Sequence, residues 1–317
     1  MSADTVSPLV DPDDVERAAE HLSGRVRVTP VVDVGAGELG LPCSAVLKLE
    51  LLQHTGSFKP RGAFHRVLTA GAIPDVGLIA ASGGNHGAAV AYVARALGHR
   101  AEVFVPSTSP AMKRDRISSF GAEVVVVDGY YDDAQRAADE RAQRTGAFAI
   151  HPYDHAAVVA GQGTLGRELD VQMPALDTVV VACGGGGLIA GVAAWFRERV
   201  RVVSVEPESS QCLRAARLAG HPVPVEVAGL AADSLGAGRI GAVPWTLVEH
   251  YVDEAVTVED DEIRAAQRAL WAELRLVAEP GGAAALAALR SGAYRPSRGE
   301  RVSVVVCGAN CDPASVQ

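Results

Sequence analysis

The chain has 317 residues, enough for a large core and two lobes, and its 48% hydrophobic and 21% charged content is ordinary for a globular enzyme. Its net charge of −9 argues against nucleic acid or an anionic membrane as a partner. The five cysteines are odd in number and lack a Cys-x-x-Cys spacing, so we expect reduced thiols in a cytoplasmic protein.

The predicted elements begin with an amphipathic helix over residues 13–22, followed by short strands and turns over 29–52. From about residue 75, buried strands alternate with helices, as in "VGLIAAS" followed by "GGNHGAAVAYVARALG". This alternation predicts a parallel sheet covered by helices. We assign residues 73–148 to a small domain.

The alternation resumes after residue 150, and we assign residues 1–72 and 149–317 to one large domain. The predicted helices lie at 157–169, 188–199, 209–219 and 259–276, and the predicted strands at 178–183, 200–207 and 301–310. The uncharged stretch 178–196 approaches a membrane span in length, but its five glycines favour a strand, a turn and a helix.

The chain has only three lysines, Lys48, Lys59 and Lys113, but twenty-six arginines. Lys48 lies in the alternating strand pattern "VLKLE" and Lys113 in an amphipathic helix, so we interpret both as surface charges. Lys59, in "TGSFKPRGAF", has no such explanation. A buried lysine amine can lose its proton and attack a carbonyl carbon, which a guanidinium cannot do. Lys59 is therefore a candidate nucleophile.

Four consecutive glycines, Gly184 to Gly187, follow the strand "TVVVAC" and open a helix. Such a loop lets backbone N–H groups close on a phosphate at a helix N-terminus, and the alternative is a tight turn without a ligand. The spacing from Gly185 to Ala190, with Glu206 about 20 residues on, also matches a dinucleotide fingerprint. That match indicates a nicotinamide-dependent oxidoreductase as an alternative, but it leaves the candidate nucleophile unexplained.

The segment "SGGNHG", residues 82–87, also joins a strand to a helix, and its amides, with the Ser82 hydroxyl and the Asn85 side chain, suit a carboxylate. The His86 side chain is either a general base or an ordinary helix-start residue. Cys307 ends the last buried strand, at the edge of a parallel sheet where ligands lie. The alternative for Cys307 is a buried structural thiol.

A lysine amine, a phosphate loop and a carboxylate loop together fit pyridoxal 5'-phosphate, which carries an aldehyde and a phosphate, and an amino-acid substrate. With "SFKPRGA", "SGGNHG", "GGGGL", "EPGGAAALAAL" and "CGAN" in this order, the chain resembles the fold-type II pyridoxal-phosphate enzymes, specifically the threonine/serine dehydratase and serine racemase group. The resemblance covers nearly the whole chain. It implies a two-lobed α/β fold, tryptophan synthase β-like, with parallel sheets covered by helices.

The resemblance also implies a set of site residues. Lys59 would bind the cofactor aldehyde and take the substrate Cα proton, the large domain would bind the cofactor, and the small domain would lie on the substrate side. The other cofactor contacts would be Phe58 beside the ring, Asn85 at the ring hydroxyl, Gly184, Gly185, Gly186 and Gly187 at the phosphate, and Cys307 at the pyridine nitrogen. The substrate carboxylate would be held by Ser82, Gly83, Asn85 and His86.

Two departures from the family pattern matter. Gly83 stands where racemases of this group carry a second serine, which favours elimination over racemisation. Cys212 stands where a carboxylate ligand is expected near Glu206, and hard cations prefer oxygen, so we expect no metal. The chain ends soon after "CGAN", so we expect no regulatory domain and a role in amino-acid catabolism.

The sequence therefore predicts an L-threonine/L-serine dehydratase, a lyase that eliminates water to give a 2-oxo acid and ammonia. A serine racemase, a dehydratase for another β-hydroxy amino acid and a synthase that replaces the β-substituent remain as alternatives. Outside this class, the nicotinamide enzyme and a non-catalytic amino-acid binding protein remain. The expected partner is a small amino acid, with no nucleic acid and no membrane, and the resemblance implies a homodimer.

Overall fold

The computed structural model describes residues 9–317, whose strands form one six-stranded and one four-stranded sheet. The strands are β1 (Val31–Val34), β2 (Ala45–Lys48), β3 (Leu78–Ala81), β4 (Ala101–Pro106), β5 (Glu123–Val127), β6 (Phe148–Ala149), β7 (Thr178–Ala182), β8 (Arg201–Pro207), β9 (Glu254–Val258) and β10 (Val302–Val305). The α-helices are α1 (Pro12–Leu22), α2 (Lys59–Leu68), α3 (Asn85–Leu97), α4 (Ala111–Ser119), α5 (Tyr131–Thr145), α6 (Ala156–Gln172), α7 (Gly187–Phe196), α8 (Cys212–Ala219), α9 (Ala232–Leu235), α10 (Ala242–Tyr251), α11 (Asp260–Leu274) and α12 (Pro280–Ser291). Within this range, no helix combines the length and the apolar character needed to cross a membrane.

The larger sheet has the strand order β1-β2-β10-β7-β8-β9. Every neighbouring pair in it is parallel except β1 and β2, which are antiparallel. The sheet is therefore mixed, whereas the sequence predicted parallel sheets. The loop over residues 35–44 explains the difference, because it joins β1 to β2 without the long crossover that a parallel pair requires.

The smaller sheet has the order β5-β4-β3-β6, and all its pairs are parallel. Its two faces are covered by different helices. Leu78 and Ala80 belong to the apolar cluster that contains helix α3, whereas Ile79 and Ala81 pack with Ala134 of helix α5. Successive side chains of a strand point to opposite faces, so this doubly covered sheet needs the continuous apolar run that the sequence shows.

Most of the predicted elements are confirmed. The helix expected at residues 13–22 is α1, which begins after a capping box formed by Asp11 and Asp14. The uncharged stretch 178–196 folds as β7, a glycine turn and α7. Helices α2, α9, α10 and α12 and strand β9 were not predicted. The division into domains at residues 73 and 149 stays a prediction.

Two lysines that the sequence suggested as surface charges are buried. Lys48 is fully buried, donates from Nζ to the Thr29 carbonyl at 2.7 Å and forms an ion pair with Glu168. The alternating pattern misled because β2 lies between two other strands and is buried along most of its length, so it has no solvent face. Lys113 is only 8% exposed and pairs with Asp233, 120 residues away in sequence. Both surface interpretations were wrong.

Arg61 anchors helix α2 through a buried group of charges. Its guanidinium donates to both oxygens of Glu50, at 2.6 and 2.9 Å, and to Glu168 on α6 at 3.1 Å. The side chains of Arg61 and Glu50 are 1% and 0% exposed. A buried bidentate pair of this kind fixes direction as well as distance, so it holds the start of α2, where Lys59 lies.

We expect Arg61→Ala to destabilise the protein by about 3–5 kcal/mol, because it leaves the Glu50 carboxylate buried without its counter-charge. Arg17→Ala is the matched control, since Arg17 pairs with Asp14 at an exposed site on α1 and such pairs contribute about 1 kcal/mol or less. Urea unfolding of the three proteins measures both effects. Equal unfolding midpoints for the two variants would contradict the anchoring role of Arg61.

Candidate active site

Lys59 is the first residue of helix α2 and its amine faces neutral groups. Nζ donates to the carbonyl oxygen of Pro152 at 2.9 Å and lies 5.0 Å from the centre of the Phe58 ring. Burial lowers the pKa of Lys59 to about 8, although the nearby Cys307 and Glu279 act in the opposite direction. Roughly a tenth of this amine is therefore unprotonated at pH 7, against well under a thousandth for an ordinary lysine, and only the unprotonated form attacks a carbonyl carbon.

The tetraglycine loop links the end of β7 to the start of α7. Gly186 has a φ of 91°, in the left-handed region that favours glycine. The carbonyl of Gly184 accepts from the Cys212 thiol at 3.2 Å, and that of Gly185 accepts from the Gly241 amide at 3.1 Å. The N–H groups of residues 184–186, by contrast, have no acceptor within residues 9–317. They form a set of unpaired donors at a helix N-terminus, which is an environment that binds anions.

Tyr153 is a site residue that the sequence reasoning missed. Its ring covers the glycine loop so closely that a Cβ on Gly185 would lie 2.4 Å from three of its ring carbons. The carbonyl of the preceding residue, Pro152, accepts a hydrogen bond from the Lys59 amine. One short segment therefore contacts both the lysine and the tetraglycine loop. The available signal was an aromatic residue just beyond β6, at the carboxyl end of a parallel strand.

The "SGGNHG" segment links β3 to α3, and the side chain of Asn85 joins it to the end of the chain. Asn85 donates from Nδ2 to Oε1 of Glu279 at 2.5 Å and accepts from Nδ2 of Asn310 at 2.5 Å. The hydroxyl of Ser82 accepts from the Gly84 amide at 3.2 Å. Asn85 is thus held in one orientation by two partners, and the sequence reasoning assigned neither of them.

The His86 imidazole does not suit general-base catalysis. It is buried, and its Nε2 lies 2.8 Å from the carbonyl oxygen of Ile150. Burial, reinforced by the charge of Lys59, lowers the pKa of His86 to about 3. The ring is therefore neutral and tied to the backbone that follows β6, as a helix-start residue would be.

Cys307 and Glu279 form the third side of the site. The Cys307 carbonyl accepts from the Phe58 amide at 3.2 Å, and its thiol lies 3.4 Å from the Gly281 carbonyl. Burial raises the pKa of Cys307 far above its ordinary value, so the thiol stays protonated. Glu279, buried at the start of α12, was missed. Burial raises its pKa too, and its Oε2 has no partner within residues 9–317.

The structure therefore brings together the residues that four separate motifs supplied. Lys59 donates a hydrogen bond to the segment that covers the glycine loop, and the Phe58 amide donates one to the Cys307 carbonyl. Asn85 donates a hydrogen bond to Glu279, which precedes helix α12. All these motifs stand at the carboxyl ends of parallel strands or at helix starts.

Comparison with known proteins shows which family has this arrangement. Residues 22–308 match the family described as pyridoxal-phosphate dependent enzyme. The biosynthetic L-threonine dehydratase of Salmonella typhimurium is 40% identical over 90% of this chain and 56% of its own length. The chain belongs to the pyridoxal-phosphate dependent enzyme family. It spans about half the length of that dehydratase, 56% of which is covered by the match.

Other relatives of this pyridoxal-phosphate enzyme differ from the threonine dehydratase in the substrate or the reaction that they are named for. The phenylserine dehydratase of Ralstonia pickettii is 39% identical, over 92% of this chain and 90% of its own length. The structure of maize serine racemase superposes with a TM-score of 0.88 at 29% identity, covering 96% of this chain and 94% of that one. The fold is therefore the fold-type II fold that the resemblance implied, and the cofactor is pyridoxal phosphate.

The donor set of the site fits this cofactor. The unpaired amides of residues 184–186 suit a phosphate, and the low-pKa amine of Lys59 suits an aldehyde. The neutral thiol of Cys307 suits a ring nitrogen that is itself neutral.

Glu206 is not available to bind a nicotinamide dinucleotide, the alternative cofactor. It is fully buried, and its two oxygens accept from the Leu213 and Arg214 amides at 2.7 and 2.9 Å, which caps helix α8. A carboxylate engaged in this way cannot bind a ribose, so the nicotinamide alternative is set aside. Within residues 9–317, no three His, Cys, Asp or Glu side chains are grouped to hold a metal ion.

We expect Gly186→Ala to weaken pyridoxal-phosphate binding at least about tenfold. An alanine there would adopt a left-handed φ and place its Cβ 2.5 Å from Ile240, so the donor loop would have to shift. Gly98→Ala is the control, because Gly98 also has a positive φ but an added Cβ would meet nothing within 4 Å. Titration of both apoproteins with the cofactor tests the prediction, and equal affinities would contradict it.

The lowered pKa of Lys59 also predicts how cofactor attachment depends on pH. The deprotonated amine is the reactive form, so the rate at which apoprotein combines with pyridoxal phosphate should rise with pH and level off above about 8. Stopped-flow absorbance measures this rate, with Nα-acetyl-lysine as the solvent-exposed reference. A midpoint close to the ordinary value of 10.5 would show that the amine is not desolvated.

Proposed function

We propose that this enzyme is an L-threonine/L-serine dehydratase, which eliminates water from a β-hydroxy amino acid. Hydrolysis of the resulting enamine by one water molecule then gives a 2-oxo acid and ammonia. The observation that carries the proposal is the Lys59 amine, whose pKa near 8 lets one group bind an aldehyde and accept a proton. The threonine dehydratase and phenylserine dehydratase relatives, at 40% and 39% identity, support elimination as the reaction class.

In this proposal each site residue has one task. The phosphate would be held by Gly184, Gly185, Gly186 and Gly187, the ring by Phe58 and Asn85, the pyridine nitrogen by Cys307, and the substrate carboxylate by Ser82, Asn85 and His86 through side-chain and backbone donors around Gly83. Bound pyridoxal phosphate supplies a sink for the electron pair that remains when the Cα proton leaves. Lys59 accepts that proton, and because its pKa is about 8 it can hold it or release it near neutral pH.

Two features favour elimination over racemisation. Gly83 brings no side chain to the carboxylate loop, so residue 83 offers no acid to reprotonate Cα from the second face. The Cys307 thiol remains protonated and is a weak acid, so a pyridine nitrogen held beside it would stay largely unprotonated, and the ring would take up less charge. This would favour loss of the Cβ hydroxyl, which takes up a proton and leaves as water, over return of a proton to Cα. The cytoplasmic location, the homodimer and the catabolic role stay predictions from the sequence.

We expect L-threonine and L-serine to release ammonia and a 2-oxo acid with the holoenzyme, and Lys59→Ala to lose at least about 1,000-fold in kcat. Lys59→Arg should be equally inactive, since it keeps the charge but cannot form the covalent bond. A coupled keto-acid assay gives the rates, and chiral chromatography gives the D-amino acid formed.

Three results bear on the proposal. Retained keto-acid release by Lys59→Ala would refute the role of the lysine. Faster formation of D-serine than of keto acid would replace the dehydratase with a racemase. A preference for phenylserine or another β-hydroxy amino acid would keep the reaction and change the substrate.

A further inference from the structure

Ser109 lies where a side chain of residue 83 would be. A Cβ built on Gly83 would stand 1.9 Å from Oγ of Ser109, 2.8 Å from its Cβ and 3.3 Å from Val105. Contacts this short mean that a side chain at position 83 would have to displace Ser109. Ser109 therefore occupies the place that a side chain of residue 83 would take, and it brings a hydroxyl next to the 82–87 loop.

The sheet explains why Ser109 reaches this loop. Strands β3 and β4 are parallel neighbours, with Ala81 opposite Phe104, and the Ser82 amide donates to the Phe104 carbonyl at 2.9 Å. The segments after the two strands therefore leave the sheet side by side at its carboxyl edge. A turn closed by the Ser109 amide and the Pro106 carbonyl at 3.0 Å then places Ser109 over Gly83.

The Ser109 hydroxyl is also free to donate. It is half-buried, and it has no hydrogen-bond partner in the part of the chain that the structure describes. Gly83, against which it lies, belongs to the loop that is proposed to bind the substrate carboxylate. Hydrogen bonds to an ionised carboxylate are stronger than those between neutral groups.

We propose that Ser109 is a substrate-positioning residue whose hydroxyl donates to the α-carboxylate of the amino acid. The inference rests on the proposed carboxylate role of the 82–86 loop. It adds a donor from a different strand of the sheet, one that no motif in the sequence indicated. Ser109 acts in binding and orientation, and Lys59 remains the group that moves the proton.

The test compares two small amines that bind the cofactor site, glycine and methylamine, of which only glycine has a carboxylate. We expect Ser109→Ala to weaken glycine binding to the holoenzyme by about tenfold to a hundredfold, as expected for loss of a hydrogen bond to a charged group. Methylamine binding should not change. The cofactor absorbance reports both affinities. Ser107→Ala is the matched control, because Ser107 is exposed in the same segment.

A second set of variants separates the hydroxyl from simple packing. Gly83→Ala should lower the melting temperature and weaken glycine binding, because its Cβ displaces Ser109. Adding Ser109→Gly should restore the melting temperature, since the clash is removed, but should not restore glycine binding. With threonine as substrate, Ser109→Ala should raise KM by the same factor and leave kcat within about twofold.

Some outcomes overturn the proposal. Unchanged glycine affinity in Ser109→Ala would do so, and so would an equal loss for methylamine, which would indicate a general disturbance of the site. A fall in kcat with unchanged KM would assign an acid–base role to Ser109 instead. Glycine binding needs no elimination. If the holoenzyme fails the dehydratase assay while Ser109→Ala still weakens the binding of glycine and not that of methylamine, the proposed function is rejected and this inference stands.

Discussion

The chemistry of the candidate site depends on which buried cationic side chains form an ion pair with a carboxylate and which one does not. Arg61 holds Glu50 and Glu168, so its charge is compensated and it serves as an anchor. Lys59, two residues earlier, donates instead to the uncharged carbonyl of Pro152. A carboxylate partner would have raised the lysine pKa, whereas a neutral acceptor lets desolvation dominate and bring it to about 8. Anchoring and reactivity are thus divided between two neighbouring side chains.

A second constraint is the convergence of helix starts. Helices α3, α7 and α12 each begin in one of the loops that form the site. The first amides of a helix are unpaired and its N-terminal end carries a partial positive charge, so such loops favour anions. Two of the three suit the phosphate and the carboxylate that the family's chemistry requires. At the third, Glu279 itself is the anion, and its Oε1 is paired with Asn85.

Local sequence predicted the parts of the site that need only near neighbours. The glycine turns at 82–87 and 184–187 are marked by composition, and the short distance from strand to helix fixes their position. The sequence could not show contacts between distant segments, such as Lys59 with Pro152, 93 residues apart, or Asn85 with Glu279, 194 residues apart. Lys48 was misjudged for the same reason, because its partner Glu168 lies on a helix 120 residues away.

One physical cause, the removal of water, sets the protonation of two groups in the candidate site. It lowers the pKa of Lys59, which makes the amine available, and it raises the pKa of Cys307, which keeps the thiol neutral. In the proposed function, a neutral thiol held at the pyridine nitrogen would leave that nitrogen uncharged, so the ring would retain less of the charge released at Cα. That condition would favour loss of the β-substituent over return of a proton to Cα. Burial would therefore act in two ways, by making the base available and by keeping the acid weak, and the weak acid is the part that would favour elimination.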